Sequence, residues 1–386
     1  MSNHELKGNE SADVVIVGGG VIGLSVARAL CERGIGRVTL VERGDVGAEA
    51  SHAAGGMLAV QAEANGAGAF FDLARASLKL YPAWADALSE ETGIDIELES
   101  TGTLYLAFTD EDERDIERRF RWQNEAGLPV ERLSADEARH VEPCVSTKAR
   151  AALRFPLDVQ VENRRLIASL SSSIEKRQVK ILRNTCVESL SIERGRITGV
   201  ETARGTIHAP VVVVASGAWT SFLTGSDSRV PPVRIEPVRG QMLCFAAAAG
   251  CARHVLYSPR GYIVPRMDGR LLAGSTTERA GFDKQVTGSG LHAITSHALE
   301  IAPAAVADAP LVDAWAGLRP RAEDDLPVIG ACAEVGGLFY ATGHYRNGIL
   351  LAPVTGELVA EQIATGIMPA LLDAFSPNRF QPVGIG

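Results

Sequence analysis

Four glycines stand within six residues, between a run of β-branched residues and an amphipathic helix, and this cluster restricts the possible fold most strongly. Val14 to Val17 is suited to a strand covered on both faces. Gly18, Gly20 and Gly23 keep the G-x-G-x-x-G spacing, and Leu24, Ala27 and Leu30 then fall on one face of a helix. A second strand follows from Arg37 to Glu42. Strand, helix and parallel strand over about thirty residues make one right-handed βαβ unit. The glycines serve a tight turn, close approach to a pyrophosphate, and close packing of helix on strand. The pyrophosphate rests on the helix N-terminus, where unpaired N–H groups point outward. Glu42, nineteen residues after Gly23, ends the second strand where a carboxylate accepts from ribose hydroxyls. A bound dinucleotide is therefore expected, with Val21, Ile22 and Arg43 beside it.

Three later stretches favour FAD over a nicotinamide. Ser51 to Leu58 is rich in small residues (Ser51, Ala54, Gly55, Gly56), which lets backbone approach a bulky ring. The buried run Pro210 to Trp219 ends in Ala215, Ser216, Gly217 and Trp219, and Val187 joins this group. Finally, Gly343 and Gly348 flank the turn His344, Tyr345, Arg346, Asn347, and Gly348 and Ile349 open a helix. The N-terminus of that helix is placed to stabilise negative charge on a reduced flavin. No second G-x-G-x-x-G unit occurs mid-chain to hold a nicotinamide.

The 386 residues exceed one ordinary core and suit two intertwined domains. Short alternating segments between Val233 and Ala273 read as an antiparallel sheet. The expected fold class is α/β: a Rossmann-like, mostly parallel FAD-binding domain and a second α+β substrate domain on an antiparallel sheet. The expected boundaries are 11–90, 151–225 and 316–374 for the first and 91–150 and 226–315 for the second, with 1–10 a flexible N-terminus.

A net charge of −9 argues against nucleic acid, whose phosphates demand a basic surface. Six scattered cysteines without a CxxC pair predict neither a metal site nor a disulfide framework. Met1 to Ala12 lacks the order of a signal peptide, and the apolar run Val14 to Leu30 is broken by glycines and Arg28. No stable membrane insertion is expected, and the location expected is cytoplasmic.

The chain resembles the D-amino-acid-oxidase superfamily of flavoproteins, and within it the bacterial glycine oxidases of thiamine biosynthesis. The carrying segments are VVIVGGGVIGLSVARAL with VERG, AAGGML, VRGQML, YIVPR, WAGLRP with LPVIG, and GHYRNGILLAP. They run from residue 13 to residue 353, nearly the whole chain. The resemblance implies that Arg319 pairs with a substrate carboxylate, that Tyr262 donates to the same group, and that Arg346 lies at the pocket mouth. It also implies that Met57 and His344 line the small space at the flavin. A planar guanidinium grips a carboxylate bidentately, and a phenol adds direction. Gly55 departs from the family pattern, where alanine is commoner, as does Asp325, where glycine is more usual. The activity implied is oxidation of a small amino acid, glycine first, with O2 reduced to H2O2, by a homo-oligomer. The alternative is a dehydrogenase of D-amino acids, proline, sarcosine or glycine that uses another electron acceptor.

Overall fold

The computed structural model describes residues 10–223, 230 and 233–380. The β-branched runs build the centre of a six-stranded sheet. Its order is Val328–Ala331, Leu338–Thr342, Val211–Val214, Val14–Val17, Val38–Val41, Lys180–Leu182. The last five strands are mutually parallel, and Val328–Ala331 alone runs against its neighbour. Val14–Val17 is buried at every position, as a strand covered on both faces must be. The helices Val21–Glu32, Ala69–Thr92, Asn163–Lys176 and Gly348–Thr365 pack together on one face of this sheet, in one continuous apolar cluster. The other face carries a smaller sheet: Glu10–Ser11, Gly205–His208, Arg196–Thr202 and Val187–Glu193. Glu10 pairs there with Ile207, so it is not part of a loose terminus; the rest of the expected flexible segment lies outside the described residues.

The second large sheet has eight strands, in the order Leu311–Ala322, Ile235–Ala246, Arg270–Gly274, Gly261–Pro265, Val255–Ser258, Thr103–Ala107, Ala151–Phe155, Glu131–Ser134. Its pairs are antiparallel except Val255–Ser258 with Thr103–Ala107. Two expected boundaries are corrected by this pairing. Ala151–Phe155, assigned above to the cofactor domain, pairs antiparallel with Thr103–Ala107 in the eight-stranded sheet. Leu311–Ala322 continues in that sheet past the boundary at 316. Its register sets Pro320 against Pro237, and Pro320 is tolerated because the strand is an edge.

The helix Gly288–Ile301 was not anticipated. It opens on the weak formers Gly288, Ser289 and Gly290, but Thr287 caps it by accepting the Gly290 N–H at 3.1 Å. Asp325 takes the left-handed conformation, φ +63°, that glycine would supply. Its carboxylate accepts from Arg321 Nε at 2.5 Å and Nη2 at 3.2 Å, which favours the turn. No single helix among the described residues is long and apolar enough to cross a membrane.

Candidate functional site

A single cleft runs from the Gly18 turn to the inner face of the eight-stranded sheet, with about 1770 Å3 of space free of protein atoms, part of it open to solvent. At one end Gly18, Gly20, Val21, Ile22, Glu42, Arg43 and Ser51 line it. Gly18 has φ +113°, and a Cβ there would come 2.5 Å from the Ala215 carbonyl oxygen, so only glycine fits. Glu42 is turned in: Oε2 accepts the Gly19 N–H at 2.7 Å and Oε1 the Gly44 N–H at 2.9 Å. Each oxygen keeps lone-pair capacity toward the cleft. Arg43 stacks on Trp219, its guanidinium carbon 3.5 Å from the ring centroid, and pairs with Glu49 at 2.6 Å.

Gly23 is the one residue expected at the cofactor that does not line the cleft. A Cβ at that position would overlap the Gly18 carbonyl oxygen and press on Ile16, so this glycine acts through helix–strand packing alone.

The middle of the cleft is walled by Ala54, Gly55, Gly56 and Met57 on one side and Val187, Ser216, Gly217 and Trp219 on the other. The 51–56 loop is pinned from several directions. Asn163 Nδ2 donates to the Ser51 and His52 carbonyls at 2.8 and 3.1 Å, Trp315 Nε1 to the Ala53 carbonyl at 3.1 Å, and Arg266 Nη2 to the Gly55 carbonyl at 2.9 Å. The turn at 344–347 closes the other side: the Tyr345 N–H donates to the Pro320 carbonyl at 2.8 Å, and Tyr345 has φ +47°. His344, Tyr345, Arg346, Asn347, Gly348 and Ile349 all reach the cleft. The Val21–Glu32 and Gly348–Thr365 helices thus both start on it, with no side-chain cap and no acidic residue in either first turn. Anionic groups near such N-termini gain about 0.3–1 kcal/mol each at exposed sites and up to about 2 in partly buried ones.

Tyr262 and Arg319 meet at the far end with Met57 and Met242. The Tyr262 hydroxyl lies 3.2 Å from Met242 Sδ. Arg319 is half-buried over Gly240, where any Cβ would overlap the guanidinium. It donates from Nη2 to Ser275 Oγ at 2.7 Å and from Nη1 to the Thr276 carbonyl at 3.1 Å, and no carboxylate among the described residues pairs with it. Arg346 differs. It is ion-paired with Glu63 Oε1 at 2.6 Å and donates to the Tyr257 hydroxyl at 3.3 Å. The Glu63 carboxylate is the first cause holding its pKa well above the ordinary value, and burial pushes the Tyr257 phenol up to about 12. Among the described residues, Arg319 is thus the one cleft-lining arginine without a carboxylate partner, since Arg43 pairs with Glu49 and Arg346 with Glu63. His344 is fully buried, its Nε2 3.0 Å from Thr355 Oγ1, and desolvation lowers its pKa to about 3, which keeps the ring neutral.

Glu63, Met242, Ser275 and Tyr257 escaped the sequence reading. Glu63 joins Arg346 across 283 residues, and no local pattern marks Glu63.

Residues 13–362 match the FAD dependent oxidoreductase family, DAO. The chain belongs to this family. Among its relatives, a glycine oxidase of Geobacillus kaustophilus is 38% identical, over 91% of this chain and 92% of its own length. A glycine oxidase of Pseudomonas aeruginosa is 35% identical over 97% and 99%. The crystal structure of glycine oxidase from Geobacillus kaustophilus matches with a TM-score of 0.90 at 36% identity, covering 95% of this chain and 98% of that one. The cofactor is FAD, and the cleft fits it. A Cβ on Gly20 would come 3.3 Å from Ser51 Oγ in the space beside the helix start, Glu42 keeps lone-pair capacity for a ribose, and two helix N-termini without acidic first turns receive negative charge, although Ser51 Oγ accepts the Val21 N–H at 3.0 Å.

Proposed function

We propose that the protein is a glycine oxidase, which converts glycine to its imine with dioxygen as the final acceptor and serves thiazole formation in thiamine biosynthesis. The observation that carries this reading is Arg319. It lines the same cleft as Tyr262, and among the described residues its guanidinium bonds only to neutral oxygens, at Ser275 and Thr276. A bidentate carboxylate completes its donor set, and Tyr262 adds a third bond from the side. FAD, which Gly18, Gly20, Glu42 and the two helix N-termini would hold, would supply two-electron redox chemistry between the substrate C–H bond and dioxygen, the two electrons and two protons lost by the amine ending in hydrogen peroxide.

The chain contributes binding, orientation and exclusion of water. Arg319 and Tyr262 fix the carboxylate, and burial together with the Arg319 charge favours the neutral form of the substrate amine. Glu63 neutralises Arg346, so the latter shapes the mouth without competing for the carboxylate. Met57, Met242 and Tyr262 line the cleft, and a substrate as small as glycine would make the least demand on the space they leave. No side chain is required as a base: His344 is held neutral and bonded to Thr355.

Oxygen uptake by the purified yellow protein tests the proposal. Glycine is expected to drive uptake with peroxide formed in equal amount; no uptake with glycine, sarcosine or D-alanine overturns it.

A further inference from the structure

We propose that Met242 is a site of oxidative modification: hydrogen peroxide formed in the cleft converts its thioether to the sulfoxide, and the sulfoxide disables Tyr262. The inference rests on the oxidase reading above, which supplies the peroxide. Of the chain's methionines, Met267 and Met368 lie at the surface, 64% and 42% exposed, whereas Met57 and Met242 line the cleft. Among the described residues, Met242 alone has a recorded hydroxyl bond to its sulfur, from Tyr262 at 3.2 Å. Met242 is only 2% exposed, so oxidant reaches it through the cleft rather than across the protein surface.

The chemistry balances without a further reagent. The sulfur lone pair attacks one peroxide oxygen and the O–O bond breaks. Sulfur is oxidised by two electrons and peroxide is reduced. The departing hydroxide takes a proton and leaves as water. The Tyr262 hydroxyl is placed to give that proton and to recover the one left on the transferred oxygen.

The consequence follows from packing. A Cβ on Gly274 would overlap Met242 Sδ and lie 2.8 Å from the Tyr262 hydroxyl oxygen, so the sheet side of the sulfur is closed. The added oxygen must project into the cleft, the side a substrate occupies. A sulfoxide oxygen is a far stronger acceptor than a thioether, and methionine sulfoxide is polar where the thioether was apolar. The Tyr262 hydroxyl, assigned above to the substrate carboxylate, then has a competing partner at bonding distance. Loss of one hydrogen bond to a charged group raises KM by about tenfold or more.

The test uses the holoenzyme turning over glycine in air with catalase outside. Catalase removes peroxide that has escaped, so Met267 and Met368 are spared while Met242 meets peroxide where it forms. Digestion with trypsin isolates Met242 in the peptide Gly240 to Arg253. That peptide is expected to gain one oxygen ahead of those bearing Met267 and Met368, in step with a rise in glycine KM of about tenfold. Met242→Leu is expected to show no drift of KM from its own starting value during turnover. Sustained oxygen uptake with an unmodified Met242 peptide, or an equal drift in Met242→Leu, overturns this inference alone. Absence of oxygen uptake overturns the oxidase reading beneath it.

Discussion

Arg319 and Arg346 both line the cleft, yet their surroundings assign them different work. Arg346 is bound to Glu63 and Tyr257, whereas Arg319 meets only the oxygens of Ser275 and Thr276. Replacing Arg319 with alanine removes the one cleft-lining arginine that has no carboxylate partner among the described residues, and loss of such a partner from a desolvated pair costs about 3–5 kcal/mol. Steady-state kinetics of Arg319→Ala are therefore expected to show glycine kcat/KM lower by about two to three orders of magnitude, expressed mainly in KM. Arg319→Lys keeps the charge but loses the planar fork, and is expected to recover only part of the loss. A near-normal KM in Arg319→Ala contradicts the assignment. His344 supplies a pH dependence of known sign. Its pKa falls from the ordinary 6.5 to about 3 in the folded protein, because burial penalises the charged ring. Between these values the unfolded chain binds a proton that the folded chain refuses, so stability drops as pH is lowered from 6.5 toward 3. Melting temperatures across that window are expected to fall less steeply for His344→Gln than for the wild-type chain. At this scale the sequence told only part of the story. Arg319 and Tyr262 sit in recognisable motifs, but Ser275 and Glu63 gain their roles from contacts across the chain, and nothing in their local sequence announces it.

Elements were more legible than single contacts, because hydrophobic periodicity is local. The strand Val14–Val17 and the helix that follows the glycine turn, Val21–Glu32, stand where the pattern put them. The helix Asp110–Glu125 carries a capping box between Thr109 and Asp112 and buries Ile116 and Gln123. Where the reading failed, tertiary pairing had prevailed over local signal. Ala151–Phe155 has no mark that tells which sheet it joins, and Gly288–Ile301 begins with residues that disfavour a helix. The glycine turn offers the sharpest test of an element. Gly23 touches no part of the cleft, but a methyl group there overlaps the Gly18 carbonyl oxygen at the point where helix and strand meet. Gly23→Ala is expected to purify with little or no flavin, measured as the ratio of visible to ultraviolet absorbance; full flavin content would show that this packing is not needed.

For the molecule as a whole, the cleft lies where the mostly parallel sheet of the FAD-binding fold meets the mostly antiparallel sheet that carries Arg319, the proposed carboxylate anchor. The seam is held by contacts that join the two. Lys284 pairs with Glu49 at 2.9 Å, and Phe282 packs on Trp219 and Phe222 with ring centroids 5.5 and 5.2 Å away. The segment bearing Phe282 and Lys284 begins beside Ser275, the partner of Arg319, so cofactor wall and substrate anchor are tied by one stretch of chain. This architecture makes the reaction of glycine with enzyme-bound FAD the central claim. The most direct measurement mixes the yellow holoenzyme with glycine in the absence of air, follows the flavin bands, and then admits oxygen. The account predicts that glycine bleaches the bands and that air restores them as peroxide appears. Bands that glycine leaves unchanged, or that air fails to restore, would contradict it.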